Sequence, residues 1–264
     1  MASVLPADGG DAPVAVENPG GTGPFVLVCD HASNRMPPVY GGLGLTDADR
    51  VAHIAWDPGA LGVSLELSRL LDAPLIHSTL SRLLVDCNRD PSAVDLIPEI
   101  SELTVIPGNR NLAADERARR IAQAHTPFHA AIDAVLDERQ RLGRPTVLVS
   151  VHTFTPVYKG VHRDCEIGLI SGKDRRLADP ALALLKERSN WQVGDNDPYS
   201  PADGVYYTLT RHGEDRGLVP LMIEIRNDRV KTPEAEISWA TLLAGVMTDA
   251  LKLALPGKAG GVNA

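Results

Sequence analysis

Three apolar runs of this chain stop abruptly at residues that can hold a metal ion or move a proton. Phe25-Val26-Leu27-Val28-Cys29 leads into Asp30-His31, Thr146 to Val151 leads into His152, and Leu221-Met222-Ile223 leads into Glu224-Ile225-Arg226. Imidazole nitrogens and carboxylate oxygens are the usual partners of a zinc-type ion, so His31 and His152 are candidate ligands. Glu224 stands between Ile223 and Ile225, where an unpaired carboxylate is costly. Arg226 could neutralise it structurally; a catalytic base or a metal ligand is the chemical alternative.

A fourth run, Leu83-Leu84-Val85, leads into Asp86-Cys87-Asn88-Arg89-Asp90, with Arg82 just ahead of it. Arginine grips a carboxylate with two parallel hydrogen bonds, and a neighbouring asparagine adds donors. Metal-type ligands, an acid/base and an arginine clamp together point to metal-assisted hydrolysis of an amide on a small carboxylate-bearing substrate. Two residues compete as third ligand. Asn34 lies three positions past His31, and Asp57 closes His53-Ile54-Ala55-Trp56-Asp57, four positions after a histidine and on one helical face if that segment is helical. A carboxylate brings charge where an amide oxygen brings none, which favours Asp57 over the alternative Asn34. His53 is then an outer residue of the site or plain pocket wall. His77, His125, His129 and His162 read as solvent-facing or structural. Two other function classes stand beside this one: a metal-free binding or regulatory protein, and a hydrolase using Ser33 or Ser150 near His152. The second lacks a Gly-x-Ser-x-Gly elbow to present the nucleophile.

The elements that must position these residues follow from the same runs. Buried strands rich in Val, Ile and Leu, separated by helical stretches, predict a parallel-type α/β sheet, and such sheets place ligands at the carboxyl ends of their strands. The expected fold is α/β, three layers with a mostly parallel or mixed central sheet. Helices are predicted over 58–71, 113–142, 178–188 and 234–253, with Thr126-Pro127 starting the second half of the long one or kinking it. A short strand is predicted at Pro74 to His77. Residues 1–23 read as an irregular tail with room for one strand at Val14-Ala15-Val16, residues 24–256 as one catalytic domain, and 257–264 as a frayed end. The turn-rich stretch from Asn190 to Gly217 reads as a long loop bordering the pocket, which makes Tyr199 a candidate substrate contact.

Bulk properties limit the partners. A chain of 264 residues with net charge −8 offers no basic face for nucleic acid. No uninterrupted run of about 18 apolar residues predicts a spanning helix, and the first ten residues lack a secretory pattern, so a cytoplasmic location and no membrane partner are expected. Cys29, Cys87 and Cys165 are odd in number and far apart, which fits reduced, mostly buried thiols; Cys29 or Cys87 as ligand or nucleophile is the alternative.

Five blocks carry a resemblance. Cys29 to Pro37 (Cys-Asp-His-Ala-Ser-Asn-Arg-Met-Pro), Ala55-Trp56-Asp57-Pro58-Gly59-Ala60, Ser81 to Asp90, Ser150-Val151-His152-Thr153-Phe154-Thr155-Pro156 and Met222 to Asp228 together resemble the N-formylglutamate amidohydrolase family. The resemblance runs in order from about residue 24 to about residue 250. It implies a zinc-carboxypeptidase-like (phosphorylase/hydrolase-like) fold related to aspartoacylase, one zinc ion, and hydrolysis of a carbon-nitrogen bond other than a peptide bond in a small N-acyl amino acid. It further implies that His31 and His152 hold zinc, that Glu224 is the acid/base, that Asn88-Arg89 grips a substrate carboxylate, and that Arg82 is a second cation near the scissile carbonyl. Arg226, two residues past Glu224, joins Tyr199 among the candidate substrate contacts. In the relatives the third ligand is a glutamate three residues after the first histidine, a position that Asn34 occupies here.

Overall fold

Residues of alternating parity along the apolar runs face opposite ways, so each run can bury both of its faces only as the middle of a layered structure. A computed structural model of the chain, which describes residues 12–254, shows that arrangement. Seven strands form one sheet: β1 (Val14–Glu17), β2 (Phe25–Cys29), β3 (Leu75–Ser78), β4 (Val147–Phe154), β5 (Ile167–Ile170), β6 (Val193–Asp195) and β7 (Val219–Arg226). Their order is β1-β3-β2-β4-β7-β5-β6. The central strands β3, β2, β4 and β7 run parallel, β1 and β5 join antiparallel to β3 and β7, and β6 is parallel to β5. The sheet is therefore mixed.

Seven α-helices accompany it among the described residues: α1 (Asp47–Val51), α2 (Ala60–Leu71), α3 (Ala114–Arg120), α4 (Thr126–Arg141), α5 (Ala178–Arg188), α6 (Tyr207–His212) and α7 (Pro233–Ala254). Phe25, Leu27, Val149, Val151, Leu221 and Ile223 pack with residues of α2, α5 and α7 such as Val63, Leu182 and Leu243. The alternate residues Val26, Val28, Leu148 and Met222 pack with Phe128, Ile132 and Leu136 of α4 and Leu209 of α6. Two helical layers thus cover the two faces, as the period-2 pattern requires.

Several expectations change in detail. In the stretch ahead of residue 24 the strand allowed for at Val14-Ala15-Val16 extends by one residue, and Val14–Glu17 pairs with β3 from Val14↔Ser78 to Glu17↔Leu75. The predicted frayed end at 257–264 lies outside the described residues. The long helical region is divided by a π-helical turn, Ile121–His125, which runs directly into α4, and Pro127 sits in the first turn of α4 just past it. The loop from 190 to 217 carries β6 and α6. The segment from His53 to Asp57 is a turn and not a helix, so the four-residue spacing there does not describe a helical face. Finally, α7 is long and apolar enough to cross a membrane, with mean hydropathy 1.2. It buries Trp239, Ala240, Leu243 and Met247 in the core shared with α2 and α5, the packing of a core helix.

Candidate active site

On the face toward α4 and α6 the strands begin apolar and end polar. Adjacent strands β4 and β7 pair in register with His152 beside Glu224, so the two side chains stand next to each other where that helical layer runs out. Strand β2 pairs with β4 through Val28↔Ser150, and Asp30 and His31 follow from its end. A third element is brought in by main-chain bonds: the Asp57 N–H donates to the His31 carbonyl (2.9 Å), the Arg82 N–H to the Ala55 carbonyl (3.2 Å) and the Thr153 N–H to Asp57 Oδ2 (3.4 Å). The turn at Asp57 is thereby sewn to the ends of β2 and β4.

The result is a buried donor set. His31, Asp57 and His152 place ligand atoms all within 4.8 Å of one another. The Nδ1 atoms of His31 and His152 lie 3.4 and 2.9 Å from Asp57 Oδ2. Their far nitrogens are held by other groups: His31 Nε2 lies 2.7 Å from Asp86 Oδ1, and His152 Nε2 lies 3.2 Å from Asp30 Oδ2 and 2.8 Å from Ser150 Oγ. Asp30 accepts in turn from the hydroxyls of Ser150 and Thr208. A carboxylate behind each imidazole fixes its orientation, the usual support of a metal-ligating histidine. Neither Asp30 nor Asp86 was assigned this role from sequence. The available signal was a carboxylate at the abrupt end of each apolar run; Thr208 carries no comparable signal.

Electrostatics test the set for a metal. Burial alone would raise the carboxyls of Asp30, Asp57 and Asp86, yet their neighbours win. His31 and His152 hold Asp57 far below the usual range, His152 and His31 hold Asp30 at about 2, and Arg82 and His31 hold Asp86 low. Hydrogen bonds to Asp30 and Asp57 likewise overcome burial and push His152 well above an ordinary imidazole. Three buried carboxylates set against the Arg82 guanidinium leave two negative charges, which one divalent ion would balance while taking the place of the imidazole protons. The residues fit such an ion by charge and by donor type.

Glu224 differs from the other acids. It is buried, its Oε2 has no hydrogen-bond partner, and burial pushes its carboxyl up to about 7. A carboxyl poised near neutrality in a cavity wall suits proton transfer.

The cavity, about 240 Å3, is lined by His31, Asp57, His152 and Glu224 and also by Arg82, Asn88, Arg89 and Tyr199. Their side chains are not equally free. Arg82 is bound to Asp86 Oδ2 (2.7 Å) and Asp57 Oδ1 (3.3 Å). The Asn88 amide donates one N–H to the Val205 carbonyl and accepts from the Thr208 N–H, so it secures the loop over the cavity and keeps its second N–H at the cavity wall. Arg89 Nε is paired with Asp95 (2.8 Å) and its Nη1 donates to the Gly204 carbonyl (3.1 Å). Tyr199 reaches the wall because its loop crosses close over the sheet. Gly168, the register neighbour of Glu224 on β5, permits this, since a Cβ there would lie 2.0 Å from the Asp197 carbonyl oxygen.

Two sequence candidates fall outside this grouping. Asn34 donates to the Arg50 carbonyl (3.0 Å) and lines a separate surface groove with Met36 and Pro38. Arg226 is buried away from the cavity, where it pairs with Asp228 (2.8 Å) and donates to the Arg163 carbonyl (2.8 Å). All three cysteines are buried free thiols.

The model of the N-formylglutamate amidohydrolase family matches residues 23–230. The chain belongs to that family. It is similar to the gene product Atu2144 of Agrobacterium tumefaciens, whose crystal structure superposes with a TM-score of 0.89 at 43% identity over 91% of this chain and 95% of that one. It also shares its fold with N-formylglutamate amidohydrolase from Ralstonia eutropha JMP134, at a TM-score of 0.68 and 21% identity over 92% and 98% of the two chains. A comparison with curated proteins gives no match. Family membership makes this chain an amidohydrolase, and its donor set lies on the matched segment.

Proposed function

We propose that the protein is a zinc-dependent amidohydrolase that removes an N-acyl group, formyl in the first instance, from a small carboxylate-bearing amino acid such as N-formylglutamate. The observation that carries this reading is the buried His31, Asp57 and His152 set, beside an unpartnered Glu224. His31, Asp57 and His152 would hold the ion, which when bound supplies Lewis acidity and makes water a nucleophile at neutral pH. Glu224 then accepts the water proton on Oε2 and returns it to the leaving nitrogen. Arg82, held by Asp57 and Asp86 at the cavity wall, offers its charge to the carbonyl oxygen as that oxygen becomes negative. Arg89 orients the substrate carboxylate from the loop that α6 secures. Asp30 and Asp86 keep both imidazoles in place.

Elemental analysis of the purified chain, with a panel of N-acyl amino acids assayed with and without added zinc, tests the reading. It predicts one equivalent of divalent metal and release of formate and a free amino acid. A chain that binds no divalent ion and hydrolyses none of the panel would overturn it.

One observation recommends a second reading. Ser150 Oγ, His152 and Asp57 Oδ2 are linked at 2.8 and 2.9 Å, the connectivity of a serine triad. Ser150, however, is fully buried within β4, is already bound to Asp30 and does not line the cavity. A nucleophile without access to substrate does no catalysis.

A further inference from the structure

Three arginines stand in or near the cavity walls, a fourth lies behind them, and they differ in what neutralises them. Arg82 is paired with Asp86 and Asp57, Arg89 with Asp95, and Arg226 with Asp228 and Glu166. Arg163, half-buried, has no carboxylate within ion-pair distance among the described residues. Its guanidinium lies instead against three rings, 4.5 Å from the centroid of Tyr158, 4.7 Å from Tyr199 and 5.6 Å from Phe154, and its Nη1 donates to the Tyr199 hydroxyl at 2.9 Å. All three rings line the cavity. A cation on aromatic faces is attracted but not neutralised, and it keeps its remaining N–H donors for an anion.

The backbone that carries Arg163 is fixed. Strand β4 runs past His152 to Phe154, a short hairpin follows (Val157–Tyr158 with Val161–His162), and the Arg163 N–H closes its base on the Pro156 carbonyl at 2.9 Å. The Arg163 carbonyl is held from below by buried Arg226. Arg226 thus moors the residue that faces the rings, which accounts for its own burial away from the cavity. Burial and then the nearby charge of Glu224 push the Tyr199 phenol up, so that hydroxyl lies within electrostatic reach of the proton-transfer group on one side while it binds Arg163 on the other.

We propose that Arg163 is a specificity-determining residue that reads a second anionic group of the substrate, at the end of the cavity formed by Phe154, Tyr158 and Tyr199. Arg89 would take one carboxylate and Arg163 the other, which selects N-acyl derivatives of a dicarboxylic amino acid over those of a neutral one. This rests on the amidohydrolase reading above and assigns the residue that decides its substrate class.

The test compares N-formyl-L-glutamate with its neutral isostere N-formyl-L-glutamine in wild type, Arg163→Gln, Arg163→Lys and Tyr199→Phe. Wild type is expected to favour the acid in kcat/KM by about tenfold to a hundredfold, the range of a partly desolvated charge pair. Arg163→Gln should bring the acid-to-amide ratio close to one, chiefly through KM for the acid. Arg163→Lys should recover part of the ratio, and Tyr199→Phe should keep it. If Arg163 only props Tyr199, both substrates will lose rate together in Arg163→Gln and Tyr199→Phe with the ratio intact, and the proposal fails. A wild type that hydrolyses acid and amide equally well overturns the role of Arg163 alone. A wild type that hydrolyses neither overturns this proposal, and the amidohydrolase reading falls with it only if the wider panel of N-acyl amino acids is inert as well.

Discussion

Two groups of buried histidines lie in this molecule, and their surroundings give them opposite chemistry. His31 and His152 sit at the ends of β2 and β4 among Asp30, Asp57 and Asp86, and Asp30 and Asp57 raise His152 despite full burial. His125, His129 and His212, on the turn before α4, on α4 and on α6, sit mainly against one another: His129 Nδ1 is 2.8 Å from His212 Nε2, and the ring centroids of His125 and His129 are 4.3 Å apart. Burial there lowers His129 to about 2 and His212 to about 4. The second group supports the first. His129 Nε2 meets the Cys87 carbonyl at 2.9 Å and His125 Nε2 meets the Arg89 carbonyl at 3.0 Å, so these rings hold the strip that carries Asp86 and Arg89. An imidazole surrounded by carboxylates is a cation site; one buried among imidazoles is a neutral hydrogen-bonding strut.

The sharpest way to break this contrast is to delete one ring from each group. His152→Ala or His31→Ala should abolish metal binding, and with it turnover by a thousandfold or more, on the order of what metal-assisted water activation supplies. His125→Ala should retain stoichiometric metal and lose far less. Elemental analysis of the three variants decides it: full metal occupancy in the first two would show that the ligands are misassigned.

Glu224→Gln follows in size. It keeps the shape of the cavity wall while removing the proton acceptor, so kcat should fall by about a hundredfold to ten-thousandfold with metal retained. Loss of metal in this variant would make Glu224 a ligand instead, and unchanged turnover would remove it from the reaction.

Much of the first histidine group was legible in the sequence because an abrupt change from apolar to polar residues marks a strand end, and strand ends of parallel sheets gather in space. That logic located His31, His152, Glu224 and the Asp86 to Arg89 strip. Asp57 was reached by chemistry, the need for a carboxylate, while the helical spacing from His53 did not describe the turn that delivers it. Arg226 shows where residue type misleads: an arginine beside a pocket motif is equally suited to holding backbone, and only its hydrogen bonds to Asp228 and to the Arg163 carbonyl tell which use is made of it. The support behind the site was not legible at all. His129 and His212 are 83 residues apart in sequence and meet only because α4 and α6 cover the same face.

A smaller effect sharpens the role of the carboxylates. Asp86→Asn leaves an amide against His31 Nε2, which can still pair with it but no longer supplies charge. Metal affinity should drop by about tenfold to a hundredfold, read by competition with a chelator of known strength. Arg82 would lose its principal partner in the same variant, so the matched variant Asp30→Asn, which touches His152 and not Arg82, separates the two contributions. Equal affinity in wild type and both variants would mean that the imidazoles are oriented by packing alone.

The smallest effect lies in the second group and concerns stability. In the unfolded chain these imidazoles take up protons near pH 6.5, whereas in the native protein burial keeps His212 neutral down to about 4. Between those values the unfolded state binds more protons, so stability is lost as pH falls through 6.5 and the loss levels off near 4. For His212 alone the loss amounts to about 1 kcal/mol between pH 6.5 and 5.5, since a tenfold change in a protonation equilibrium is worth about 1.4 kcal/mol. His212→Gln keeps a donor for His129 Nδ1 and removes the titrating ring. Urea unfolding at the two pH values should therefore show a shallower loss in the variant than in wild type. Asp133, 3.1 Å from His212 Nδ1, opposes burial, with Arg211 and Arg216 beside it. If that carboxylate prevailed, His212 would be charged in the native state and wild type would instead gain stability on acidification relative to His212→Gln. The sign of the difference separates a strut from a cation.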